Sequence, residues 1–71
     1  MPLVQITLIA GRDDATVQTC MKKVAQTIHE TLGAPLNSIR VIVNQVPANQ
    51  WLVGDRTREE MDRAAAEATT R

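Results

Sequence analysis

Two β-branched segments, Leu3–Ile9 and Ile39–Val46, stand on either side of one amphipathic stretch, and a chain of 71 residues has little else to cover them with. The first segment is apolar at both parities, with Val4, Ile6 and Leu8 on one side and Leu3 and Ile9 on the other. Side chains alternate along a strand, so such a segment belongs in a sheet covered on both faces. Between the segments, Val17, Cys20, Met21, Val24, Ile28 and Leu32 recur at helical spacing and form one apolar stripe. Asp13 and Asp14 offer N-terminal caps. Gly33 stands where a C′ glycine ends a helix, and Pro35 prevents its continuation. The order strand, helix of roughly 20 residues, strand predicts a βαβ unit with parallel strands and a right-handed crossover. One helix covers one face of such a sheet. The other face calls for a partner.

Downstream, Pro47, Ala48, Asn49 and Gln50 read as a turn, and Trp51, Leu52 and Val53 with Gly54 and Asp55 as a short extended piece or hairpin. Thr57 and Glu60 form a capping box ahead of an Ala-rich helix to about Thr69. No repeat or low-complexity linker interrupts the chain, which predicts one α/β domain over 1–71. A domain of this size buries only about 60% of its unfolded surface. Disulfides, metals or oligomerisation usually make up the difference. Cys20 is the single cysteine, so an intrachain disulfide is impossible, and no Cys/His cluster suggests zinc. A dimer-based oligomer is the remaining expectation.

Charge points to no macromolecular ligand. Eight basic and eight acidic residues cancel, and Lys22-Lys23, on the predicted helix, is the only Lys pair. Without a basic run there is nothing to track a phosphate backbone or an anionic membrane. The start of the chain lacks the basic residues and apolar run of a signal peptide. No segment approaches the roughly 20 apolar residues of a membrane span. The expected setting is the cytoplasm.

Three residues carry candidate chemistry. Pro2 follows the initiator Met1, and a small second residue permits methionine removal, which exposes a secondary amine. An α-amino group titrates at about 7.7–8.0. An apolar pocket and neighbouring cations both disfavour its charged form, leaving a base able to take a carbon-bound proton. Many chains begin Met-Pro with no such role. Arg12 follows the first strand directly, and Arg40 lies near the start of the second. Guanidinium forks bind carboxylates and polarise a developing enolate oxygen. The plainer alternatives are an ion pair of Arg12 with Asp13, Asp14 or another surface acid, and a strand arginine snorkelling to water at Arg40. Trp51, the only aromatic residue, fills either a core gap or a pocket wall. Cys20 reads as a core residue, and His29 as surface or interface. No phosphate loop, metal motif or nucleophile elbow occurs, so no cofactor is expected.

Parallel strands start at one end, which places Pro2 and Arg40 at one sheet edge. Arg12 lies roughly 25–30 Å away at strand rise. If two copies pair antiparallel along their first strands, Pro2 of one meets Arg12 of the other, and an open sheet edge is covered.

Taken together, Pro2, Gly11-Arg12, the run from Leu32 to Ile42 (LGAPLNSIRVI), and Trp51 followed by Gly54 resemble the 4-oxalocrotonate tautomerase family. The likeness runs ungapped from Pro2 to about Gly54 and weakens from Asp55 onward. It implies a tautomerase-superfamily βαβ fold, commonly a hexamer built as a trimer of dimers. It also implies an isomerase in which Pro2 shuttles a proton on an unsaturated 2-hydroxy or 2-oxo acid, such as the aromatic-degradation intermediate 2-hydroxymuconate. Arg12 would hold the far carboxylate. Arg40, from another neighbouring subunit, would hold the 2-oxo and carboxylate end and stabilise the dienolate. Trp51 stands where the family has a phenylalanine wall. Two departures bear on the substrate: Trp enlarges that wall, and Leu52 and Asp55 replace smaller residues in the hairpin. Related proteins hydrate, dehalogenate or decarboxylate unsaturated acids, or serve biosynthesis. Asp55 is the only acid in the hairpin for such chemistry. A non-catalytic partner in a mixed oligomer is the third alternative.

Overall fold

In the computed structural model, which describes residues 1–69 and side chains through Glu67, the chain runs β1 (Leu3–Ile9), α1 (Asp14–Leu32), β2 (Arg40–Val46), β3 (Leu52–Val53), β4 (Arg56–Thr57) and α2 (Arg58–Thr69). β1 and β2 pair in parallel over their full length, from Leu3↔Arg40 to Ile9↔Val46. The βαβ unit and the C-terminal hairpin and helix expected from the sequence are therefore present.

Local chemistry sets each boundary. Asp13 occupies the N-cap of α1 in extended backbone and accepts a hydrogen bond from the Thr16 hydroxyl. At the other end Gly33 adopts φ 72°, and its amide donates to the His29 carbonyl at 3.1 Å. That left-handed conformation suits glycine, which lacks a Cβ to clash. After Pro35 the chain makes one 3₁₀ turn over Leu36–Ser38. Its closing bond, Ile39 amide to Leu36 carbonyl, delays β2 by one residue relative to the β-branched run. A second 3₁₀ turn over Ala48–Gln50 leads to the hairpin, whose reversal uses Gly54 at φ 67°.

α1 lies over the sheet face that carries Val4, Ile6, Val41 and Val43, all half-buried. Only Val17 on the helix and Ile39 before β2 are buried outright among the described residues. The expected stripe is therefore wider at one side than the contact it makes. Cys20 is exposed rather than in the core, and Leu32 is 71% exposed. Cys20 stands a full turn before Val24, at the margin of the arc that a two-stranded sheet can cover. His29 is instead half-buried, with Nδ1 2.7 Å from the Ala34 carbonyl, where it pins the turn after the helix.

The opposite sheet face is bare. Leu3 and Ile42 are 56% and 46% exposed there, interleaved with Gln5, Thr7 and Asn44. Leu52 and Val53 of the hairpin are also exposed. The radius of gyration is 16.4 Å, against about 11 Å for a compact chain of this length. The chain extends 50 Å along its longest axis. Among the described residues, no helix is long and apolar enough to cross a membrane.

Candidate active site

Pro2 lies at the foot of β1, half-buried behind an exposed Met1. Its carbonyl accepts the Arg40 amide at 3.0 Å, which locks the starts of the two strands together. The parallel register thus brings Pro2 and Arg40 to one sheet edge. It does not aim their side chains at one another. Along β1 burial alternates, with Pro2 and Val4 on the helix side and Leu3 on the bare side, and Leu3 shares its register position with Arg40. The Arg40 guanidinium folds back on its own approach loop, with Nη1 donating to the Asn37 carbonyl at 2.9 Å and the Ile39 carbonyl at 3.3 Å. Donors held in this way lose little further freedom when they meet an anion.

Arg12 and Trp51 meet at the far end. Gly11 turns the chain out of β1 at φ 141°, a value L side chains rarely adopt, just after the Ala10 amide bonds the Val46 carbonyl at 2.8 Å. Arg12 therefore leaves the sheet at a fixed point. Its only hydrogen bond among the described residues is a long one, Nη1 to the Ile9 carbonyl at 3.4 Å. Trp51 is half-buried, and its carbonyl accepts the Arg58 amide at 2.7 Å. Leu8, Arg12, Trp51, Arg58 and Asp62 line an open depression of about 380 Å³. Arg12 and Trp51, a cation and an indole, thus share one hollow.

Arg58 and Asp62 were not among the residues expected from the sequence. The signal was present in their i,i+4 spacing, but only the fold shows that this face of α2 turns toward Arg12. Their side chains meet at 2.9 Å, Nε to Oδ1, and both remain about half exposed. Asp55, the acid singled out in the hairpin, lies in the exposed β3–β4 turn. Asp62 is the acid that reaches the depression.

Within one chain, then, four candidate residues form two half-sites at opposite ends of β1. Pro2 and Arg40 stand at its start, Arg12 and Trp51 beyond its end, with seven strand residues between them.

The profile of the Tautomerase enzyme family matches residues 2–61. A 2-hydroxymuconate tautomerase of Pseudomonas putida is 35% identical over 63 residues, 89% of this chain and all of that protein. A probable tautomerase of Ralstonia nicotianae is 45% identical over 51 residues, 72% of this chain and 73% of its own length. Among solved structures, TomN, a 4-oxalocrotonate tautomerase homologue of the tomaymycin biosynthetic pathway, superposes with a TM-score of 0.82 at 37% identity. It covers 87% of this chain and 95% of its own. A heterohexameric 4-oxalocrotonate tautomerase of Chloroflexus aurantiacus gives a TM-score of 0.79 at 26% identity, over 86% of this chain and 98% of its own. With its βαβ unit, its hairpin and helix, and a family match that begins at Pro2, the chain belongs to the 4-oxalocrotonate tautomerase family of the tautomerase superfamily.

Proposed function

We propose that the protein is an isomerase that moves a proton on an unsaturated 2-hydroxy or 2-oxo acid, with the amine of Pro2 as base once Met1 is removed. The observation that carries this reading is the division of the candidate residues into two half-sites, each complete in chemical type and neither complete in itself. The Pro2 end holds a base. The Arg12–Trp51 end holds an anion-binding cation and an apolar wall. β1 is paired on one edge only, so a second copy laid antiparallel along its open edge brings the two ends together. Arg40 is exposed and shares its register position with Leu3 of the bare face, which suits it to serve the site of a further neighbouring copy. A homo-oligomer, as a hexamer of three dimers, satisfies all three contributions.

The proton balance is simple. Neutral Pro2 removes a proton from the enol or allylic position, and the electron pair moves onto the conjugated system and its 2-oxygen. Arg40 neutralises the charge that develops there, while Arg12 fixes a far carboxylate. The resulting ammonium returns its proton to another carbon, so nothing is consumed and no cofactor is needed. Stabilisation of the developing oxyanion is the largest single contribution expected in such a step.

A biosynthetic substrate is the second reading, favoured by the 37% identity to TomN and by the broad Trp51 wall. Ultraviolet-monitored ketonisation of 2-hydroxymuconate distinguishes the two, with the wild type and Pro2→Ala compared after an intact mass has established loss of Met1. Rapid turnover that collapses in Pro2→Ala supports the dicarboxylate reaction. An inactive wild type with a free Pro2 rejects it.

A further inference from the structure

Among the described residues, two i,i+4 ion pairs on helix α2 run in opposite sense. Glu59 precedes Arg63, at 3.2 Å, the order that the helix macrodipole favours. Arg58 precedes Asp62, at 2.9 Å, and so puts a cation on the first residue of the helix, beside its positive end. Local electrostatics alone disfavours that arrangement. Such a departure from local preference is where a functional role is expected. The disfavoured pair is also the one that faces the depression shared with Arg12 and Trp51; neither Glu59 nor Arg63 lines it.

Two contacts hold Arg58 in place. Its amide is bonded to the Trp51 carbonyl at 2.7 Å, which ties the start of α2 to the wall of the hollow. Its Nε is occupied by Asp62, which leaves the edge carrying both terminal amino groups unbonded among the described residues. A guanidinium anchored through Nε presents that edge as a two-pronged donor for a carboxylate.

We propose that Arg58 is a second carboxylate-binding residue of the Arg12 pocket, held in position by Asp62, and that it makes the site selective for dicarboxylates over monocarboxylates. Arg12 and Arg58 together outweigh Asp62 by one positive charge, the complement of one terminal carboxylate. The inference rests on the Arg12–Trp51 hollow being the substrate's distal end, as in the reading above.

A pair of unreactive six-carbon dienes tests it. trans,trans-Muconate and sorbate differ only in a carboxylate against a methyl group at one end. Calorimetric titration of the assembled protein should show muconate bound more tightly than sorbate. Arg58→Ala should weaken muconate about tenfold, as loss of one partly solvated charge-assisted contact, and change sorbate less than about twofold. Arg58→Lys should retain part of the preference, since the charge persists and the fork is lost. Arg63→Ala, on the other pair, should leave both affinities and turnover unchanged. The melting temperature of Arg58→Ala should not fall, because a cation leaves the positive helix end. Unchanged muconate binding in Arg58→Ala overturns the proposal. So does an equal loss of both ligands with a lower melting temperature, or a wild type indifferent to the second carboxylate. Arg58-dependent muconate binding without turnover of 2-hydroxymuconate refutes the reaction assigned above and leaves this inference standing.

Discussion

The side chains expected to do chemistry are common residue types made unusual by position. Arg40 is held by two backbone carbonyls at the mouth of its strand, and Arg12 by one long contact at the outlet of another. That difference predicts different kinetics. Arg40→Ala should lower kcat by about 10²–10³, the usual loss of an oxyanion donor, with a modest change in KM. Arg12→Ala should chiefly raise KM, because the carboxylate proposed to bind it carries the same charge in ground and transition states. Steady-state kinetics on 2-hydroxymuconate would show it, and wild-type constants in both variants would remove the arginines from the mechanism. These residues were legible in the sequence as types. Their surroundings were not: apolar spacing suggested a buried Cys20, yet the narrow sheet leaves it exposed, and nothing local marked Asp62 rather than Asp55 as the acid near the pocket.

At the scale of elements, capping chemistry was the most readable part of the chain. The box between Thr57 and Glu60 forms as the residue types dictate: the Glu60 amide donates to the Thr57 hydroxyl at 3.2 Å, and the Thr57 amide to the Glu60 carboxylate at 3.1 Å. The Thr57 amide and hydroxyl bonds, with smaller help from Arg56 and Arg63, hold the Glu60 carboxyl below its ordinary value of 4.5. A carboxyl whose value is lowered on folding stabilises the fold above 4.5, and that contribution is lost as pH falls through the lower folded value. Far-UV helicity of α2 should therefore drop on acidification below about pH 4.5, and this step should be absent in Glu60→Gln. Thr57→Ala should cost about 1 kcal/mol of stability at neutral pH, read as a lowered melting temperature. Asp13 follows the same rule at α1, its carboxyl lowered chiefly by the Thr16 hydroxyl. The turn over residues 47–50 was legible but not its 3₁₀ form, and the 3₁₀ turn over Leu36–Ser38 was not, because Pro35 and Pro47 announce only that a helix or strand stops, not which tight turn replaces it.

For the whole molecule, Leu3, Ile42, Leu52 and Val53 are about half exposed, so each stands to gain about 1–1.5 kcal/mol on full burial, roughly half the value for a fully exposed side chain. Together that is large beside the few kcal/mol that a single small core supplies. Assembly and catalysis should then fail together. A sharper test uses variants that each disable one half-site. Pro2→Ala and Arg12→Ala, nearly inactive alone at substrate concentrations below KM, should regain activity when unfolded together and reassembled. Random mixing restores roughly one site in four, since each needs an intact Pro2 from one copy and an intact Arg12 from its partner. Activity no greater than the sum of the separate variants would show that no site is shared.

The sequence by itself determined the βαβ order, the ends of the first helix, the capping box of the second and the residue types available for proton transfer. All of these follow from interactions within a few positions along the chain: side-chain period, capping oxygens, and the backbone freedom of glycine against the restriction of proline. Only the tertiary structure decided that Trp51 returns to the Arg12 end of β1, the opposite end from Pro2. It also decided that Arg40 is exposed at the register position of Leu3 on the bare face, and that one turn of α2 delivers Arg58 and Asp62 to the Arg12 hollow. Those outcomes depend on strand register and on how a helix rolls against its neighbours, which are set by packing between distant segments rather than by any short run of residues.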